Sequence, residues 1–259
     1  MIMDEAQSRK PLVSVIMPVY NCERYAEAAI RSVMRQTHQN WELLVIDDGS
    51  SDMTYAVAQR VATEDQRITV LQNEQNMGVA NTRNRGFDLC RGEYVALLDG
   101  DDIWHADKLE KQVALMIGEQ AEISYSSYAI VDENGLPCKR AYTVPTHITF
   151  SDLLKENVIG CSTVMLTKKM VKSYRFATDF YHEDYCLWLT ILRDGHRAVG
   201  CFEALADWRL IVNSRSFNKR KSAMNRWRIY REYLHMPFLK SASLFVAYMF
   251  NGLRKYHGL

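Results

Sequence analysis

The sequence predicts an α/β fold: a mostly parallel central sheet flanked by helices, followed by a basic helical C-terminal extension. Three observations carry this expectation. Short β-rich runs alternate with helical stretches through the first half of the chain, three of those runs end in polar clusters, and positive charge collects toward the C-terminus. LVSVIM (12–17) precedes a helix over 23–36, ELLVID (42–47) a helix over 52–63, and ITVLQ (68–72) a helix over 78–90. YVALLD (94–99) follows, then a helix that starts after Trp104 and reaches about residue 118. EISYSSYAIVD continues as strand, whereas PCKRAYTVPTHITF reads as an irregular connection beyond which the alternation weakens. HEDYCLWLTILRDG (182–195) resumes a helix, stopped by Gly195. From about 217 two basic helices, separated near Pro237, close the chain, so residues 1–216 form one large domain and 217–259 its extension.

With 259 residues and 47% apolar content the chain can bury a full core, which excludes a disordered class. Its six cysteines form no C-x-x-C pair and no Cys/His ligand spacing, which argues against structural zinc and a disulfide framework and fits a reducing cytoplasm. MIMDEAQSRKP carries two acids, the wrong composition for a signal peptide. The run from Leu244 to Phe250 is far short of the roughly 20 residues a spanning helix needs. A cytoplasmic protein is expected.

Charge is unevenly placed. Between Arg209 and Tyr256 eleven Lys/Arg face the single Glu232, a net of +10 that leaves −9 for the remainder of a chain whose formal net charge is +1. Such a tail, with Trp227, Tyr230, Tyr233, Phe238 and Phe245, suits either a phosphate-bearing surface such as a membrane or a solvated helical face whose aromatics pack onto the larger domain.

In parallel α/β sheets ligands bind beyond the carboxyl ends of the strands. Here LVSVIM runs into Pro18, Val19, Tyr20 and Asn21, ELLVI into Asp47-Asp48-Gly49-Ser50, and YVALL into Asp99-Gly100-Asp101-Asp102. Adjacent carboxylates repel unless a cation or several donors neutralise them. A hard divalent ion, Mg²⁺ or Mn²⁺, takes oxygen ligands, and a nucleotide diphosphate would complete its shell. A turn with an Asp helix cap is the plainer account, and three acids after a buried strand weigh against it. Asp48 fits a turn before the next helix, or an acceptor for the imide N–H of a uracil ring. Gly78 would permit a close backbone approach, and the planar fork of Arg83 suits phosphate or carboxylate. In His182-Glu183-Asp184 the acids favour a helix N-terminus, and H-E-D-Y-C is not the H-E-x-x-H of zinc proteases. The hydrolase elbow, the P-loop and the dinucleotide fingerprint have no local match.

Together VSVIMPVYN, WELLVIDDGSSD, NMGVANTRNRG, YVALLDGDDIW and HEDYCLWLTIL resemble, over roughly residues 12–194, the family 2 glycosyltransferases of the GT-A fold. The resemblance implies inverting transfer of a sugar from a nucleotide sugar, usually UDP-linked, to an acceptor hydroxyl. Pro18, Tyr20 and Asp48 would then hold the base, with Val19, Asn21, Gly78, Arg83, Asp99 and Gly100 completing the nucleotide site. Asp99 and Asp101 correspond to the D-x-D pair at ribose and metal, with Asp102 a neighbour sharing that role, and Asp184 to the general base. Mn²⁺ or Mg²⁺ is the implied cofactor. A saccharide or lipid-diphosphate-linked intermediate of surface polysaccharide synthesis (O-antigen, capsule or exopolysaccharide) is the implied acceptor, met at the cytoplasmic face of the inner membrane. A peripheral membrane contact through the C-terminal helices is expected, and no nucleic acid partner. One departure stands out: where relatives carry Y-R-x-H-x-x-S, this chain reads Trp208-Arg209-Leu210-Ile211-Val212-Asn213-Ser214, with Ile211 replacing the His. Arg209, Ser214, Arg215 or Lys219 would then meet the diphosphate. Two other classes share the layout: a non-catalytic nucleotide-sugar-binding scaffold, against which the intact acids argue, and a nucleotidyltransferase, which would release pyrophosphate.

Overall fold

The computed structural model describes residues 10–211 and 219–257. Strands β1 (Val13–Val19), β2 (Trp41–Asp47), β3 (Ile68–Gln72) and β4 (Tyr94–Leu97) alternate with helices α1 (Glu23–Met34), α2 (Thr54–Ala62) and α3 (Val79–Leu89). The strands pair in parallel in the order β3-β2-β1-β4. Both faces of this unit are covered, so β1 and β2 are buried along their whole length and read as continuous apolar runs. Side chains still divide by the strand period of two: Val13, Val15 and Met17 enter one core layer, Ile16 the other. The polar exceptions, Ser14 and Glu42, satisfy each other at 2.5 Å, and the Arg91 N–H donates to Glu42 at 2.7 Å.

The sheet then changes character. β5 (Ile103–Trp104), α4 (Lys108–Glu119), β6 (Ile123–Val131), β7 (Pro137–Tyr142), α5 (Phe150–Lys155), β8 (Met165–Thr167), α6 (Lys168–Ser173), α7 (Glu183–Arg193) and β9 (Ala198–Arg209) follow in order. β8 lies antiparallel between β4 and β6, β9 runs parallel to β6, and β5 closes the edge antiparallel to β9. The segment expected to be irregular contains β7, whose exposed, unpatterned residues carry no strand period, and leads into α5, opened by a Thr149/Asp152 capping box. β9 was not expected either, because register shifts around Ser127 break its alternation.

Helices α8 (Lys219–Arg228) and α9 (Phe238–His257) are joined by a π-helical turn, Ile229–Tyr233. That turn is continuous with the main core. Ile229 and Tyr230 are fully buried in the cluster that contains Trp188, the Tyr230 hydroxyl donates to the Leu154 carbonyl at 2.6 Å, and the Tyr233 and Thr190 hydroxyls pair at 2.7 Å. Two of the aromatics considered for a membrane surface therefore anchor the helices to the main domain. Trp227 stacks edge-on against Phe238 and Phe245, both at 5.7 Å. Among the described side chains of α9, the large apolar ones turned to solvent are Phe238, Leu239, Val246, Met249 and Phe250, with Lys240 and Ser243 exposed among them. No helix among the described residues is long and apolar enough to cross a membrane.

Candidate active site

A cleft of about 860 Å³ opens where β1, β2 and β4 end and the N-termini of α3 and α7 converge. Pro18, Val19, Tyr20, Asn21, Asp48 and Gly78 line one wall, with Gly100 packed against Pro18 and Val19. Arg83, Asp99, Asp101, Asp184 and Arg209 line the same cleft, so strand ends distant in sequence meet as expected. Ile211 also faces this space. Ser214 and Arg215 lie outside the described residues, as does the side chain of Lys219.

The first wall is cross-braced. Asn21, in the left-handed region at φ 46°, accepts the Ser51 N–H at 2.9 Å, and its own N–H donates to Ser50 Oγ at 3.0 Å, tying the β1 loop to the β2 loop. Asp48 is buried and accepts three bonds: Asn73 Nδ2 at 2.7 Å, the Met77 N–H at 2.9 Å and the Gly78 N–H at 2.9 Å. A carboxylate offers about four acceptor positions, so one remains for a ligand donor while the rest shape the 76–78 loop. Gly78 holds φ 84° and ψ 151°, a conformation open essentially only to glycine.

The acid loop after β4 divides its three carboxylates. Asp99 and Asp101 face the cleft. Asp102 does not, and this corrects its expected metal role: it is 2% exposed, accepts Ser162 Oγ–H at 2.5 Å and the Arg209 N–H at 2.9 Å, and so braces the loop from beneath. Burial and the charges of Asp101 and Asp99 push its carboxyl well above the usual range. Burial and Asp99 likewise raise Asp101, to about 6. The Arg209 side chain is also largely committed, donating through Nε to the Asp101 carbonyl at 2.8 Å and through Nη1 to the carbonyls of Asp132 and Glu133. It fixes the loop's backbone while still lining the cleft in which a diphosphate contact is expected of it.

Arg83 recognises carboxylates. Its guanidinium, 4% exposed, donates to Asp99 Oδ1 at 2.5 Å and to Glu183 Oε1 at 2.7 Å, linking the D-x-D loop to the start of α7. No sequence pattern connects positions 83 and 183, so by sequence Glu183 only favours the helix dipole, whereas in the structure it accepts from Arg83. Next to it, Asp184 faces the cleft and accepts the Tyr185 N–H at 2.7 Å. Burial and the neighbouring Glu183 charge raise its pKa to about 6, against the opposing pull of Arg83. A carboxylate tuned toward neutrality suits proton abstraction. Burial keeps both cleft cysteines as thiols, Cys22 pushed up to about 12 and Cys161 well above the usual thiol range, so neither is an activated nucleophile.

No group of three or more His, Cys, Asp or Glu side chains among the described residues forms a metal cage. The donor set fits a different kind of site: two cleft carboxylates, Asp99 and Asp101, whose mutual repulsion a hard divalent cation would offset, with ligand phosphates and water completing the shell. Sequence reasoning also missed Tyr181, His182 and Lys221 on the cleft wall.

A family model described as Glycosyl transferase family 2 matches residues 14–175. The chain is 39% identical over 246 residues to the putative teichuronic acid biosynthesis glycosyltransferase TuaG of Bacillus subtilis, covering 95% of this chain and 98% of that protein. It is 38% identical over 247 residues to the UDP-Glc:alpha-D-GlcNAc-diphosphoundecaprenol beta-1,3-glucosyltransferase WfgD of Escherichia coli, covering 95% of each. Among solved structures, the mannosyltransferase PcManGT from Pyrobaculum calidifontis in complex with GDP-Man and Mn2+ matches at a TM-score of 0.70 and 17% identity, over 93% of this chain and 70% of that one. Strand order, cleft and relatives agree: the chain belongs to glycosyltransferase family 2 and has the GT-A fold.

Proposed function

We propose that this protein is an inverting hexosyltransferase that moves a sugar from a UDP-sugar to a hydroxyl of a saccharide carried on a lipid diphosphate, in the synthesis of a bacterial surface polysaccharide. The observation that carries the reading is Asp184: a cleft carboxylate with its pKa raised to about 6, held through Glu183 and Arg83 against the acid loop. The donor and acceptor classes follow those named for WfgD.

In the proposed reaction the base lies between the β1 and β2 loops, with the last acceptor position of Asp48 open to the uracil imide. Asp184 takes the proton of the acceptor hydroxyl as its oxygen bonds to the anomeric carbon. The bond from that carbon to the β-phosphate oxygen breaks on the opposite face, and its electron pair leaves with UDP, inverting the configuration. Asp99 and Asp101 would hold Mn²⁺ or Mg²⁺, which when bound offsets the charge that grows on the diphosphate. Arg83 keeps Asp99 and Glu183 in place, and Asp102 and Arg209 fix the loop that carries Asp101. The exposed apolar side chains of α9, beside the basic α8, suit action at a membrane face, where such an acceptor resides.

The test is Asp184→Asn. UDP affinity should be retained while transfer falls by ~10²- to 10⁴-fold, the usual range for a lost general base. Unchanged turnover would exclude Asp184 as the base.

A further inference from the structure

Beside the cleft lies a second concavity of about 280 Å³, lined by Tyr181, Arg220, Lys221, Met224, Asn225 and Arg228. Five of its six residues come from one helix, α8, and three of the six are cations. It shares Tyr181 and Lys221 with the cleft, so the two spaces meet at a common wall. That wall is built. Lys221 Nζ sits 4.4 Å from the centre of the Tyr181 ring, and Asn225 Oδ1 accepts the Tyr181 N–H at 3.1 Å. The Arg228 guanidinium lies 5.3 Å from the ring of Phe180, which itself lines the cleft. Asn225 is 4% exposed, and its Nδ2 has no hydrogen-bond partner among the described residues. A buried amide donor left in this way fits an acceptor oxygen supplied from outside the protein.

We infer that this groove on α8 binds the diphosphate of the lipid-linked acceptor, with Arg220, Lys221, Arg228 and the Asn225 amide as its donors. The inference rests on the functional reading above and adds to it a place for the acceptor. Charge and geometry both favour it. A diphosphate diester carries two negative charges and many acceptor oxygens, which the Arg220 guanidinium, an ammonium and an amide match, while Arg228, whose Nε and Nη2 hold Glu232 at 3.0 and 2.9 Å, adds its remaining Nη1. In such an acceptor the diphosphate is one sugar ring away from the hydroxyl that reacts. The groove begins at Tyr181, three positions before Asp184, and opens past Met224, which is 61% exposed and gives the first lipid carbons an apolar contact. The donor's diphosphate has its own place at the acid loop, so the cations of α8 serve the second phosphate-bearing substrate.

The experiment uses the full chain saturated with UDP and Mg²⁺, titrated with farnesyl diphosphate, with farnesol, and with vesicles containing phosphatidylglycerol. The wild type should bind farnesyl diphosphate at least about tenfold more tightly than farnesol. The double variant Arg220→Gln/Arg228→Gln should lose that preference with its UDP affinity intact. Asn225→Asp, which keeps the bond to Tyr181 and replaces the donor with an anionic oxygen, should lose it too. Farnesyl diphosphate binding that is equal in wild type and variants, or no stronger than that of farnesol, overturns the inference. So does a result in which Arg220 and Arg228 matter for vesicles alone, because the cations would then serve headgroups. Failure of the wild type to bind UDP would instead overturn the functional reading, and this inference with it.

Discussion

The two halves of the sheet are built on different rules. From β1 to β4 the strands are parallel, buried on both faces and separated by regular helices, and their loops brace one another through Asn21, Asp48 and Gly78. From β5 to β9 the strands are short or bulged and mixed in direction, and the cleft wall is finished by α7 and α8. The first half presents backbone and carboxylates to the cleft; the second presents Asp184, Tyr181 and Lys221. A rigid scaffold with variable walls is how one fold supports many specificities.

Arg83 crosses between the halves, and removing it is the most damaging change. Arg83→Met leaves Asp99 and Glu183 without their buried cation, which costs about 3 kcal/mol or more, read as a lower denaturation midpoint together with loss of transfer. A midpoint equal to that of the wild type would mean that the two halves are not coupled through this side chain.

Acidity touches both halves, since Asp101 and Asp184 are each raised to about 6. Because burial and Glu183 raise the Asp184 pKa to about 6, the base form is lost as pH falls through that value. At saturating UDP-sugar, kcat should then fall about tenfold per pH unit below it. A kcat that is flat from about pH 7 to pH 5 would contradict this.

Gly78→Ala tests the nucleotide wall alone. Forcing a Cβ into its backbone region costs on the order of 1 kcal/mol, expected as a weakening of UDP binding by roughly tenfold or less. Farnesyl diphosphate binding should be unchanged. The smallest effect belongs to α9. Leu239→Asp should reduce cosedimentation with anionic vesicles a few-fold at low salt and leave UDP affinity as it was.

The contrast also explains what could be read from sequence. LVSVIM, ELLVID and ITVLQ are legible because parallel strands buried on both faces are apolar throughout, and the polar residues that follow them must sit at one edge. The same logic located Asp99, Asp101 and Asp48 on the cleft. It failed for Asp102, because neighbouring acids look alike in a string and only the loop's path decides that this one turns toward Ser162. Glu183 was hidden because its partner is a hundred positions away. β7 and β9 carry exposed residues and bulges that erase the period-two signal. The inward turn of Tyr230 depends on the carbonyl of Leu154, which no local pattern announces.

The Arg83 bridge has a consequence for engineering. A chimera that takes its nucleotide-facing portion from this protein and the remainder from a cousin will assemble a working centre only if the incoming segment brings an anion to the position of Glu183. Library designs that split the chain between residues 83 and 183 should therefore hold both ends of this pair constant.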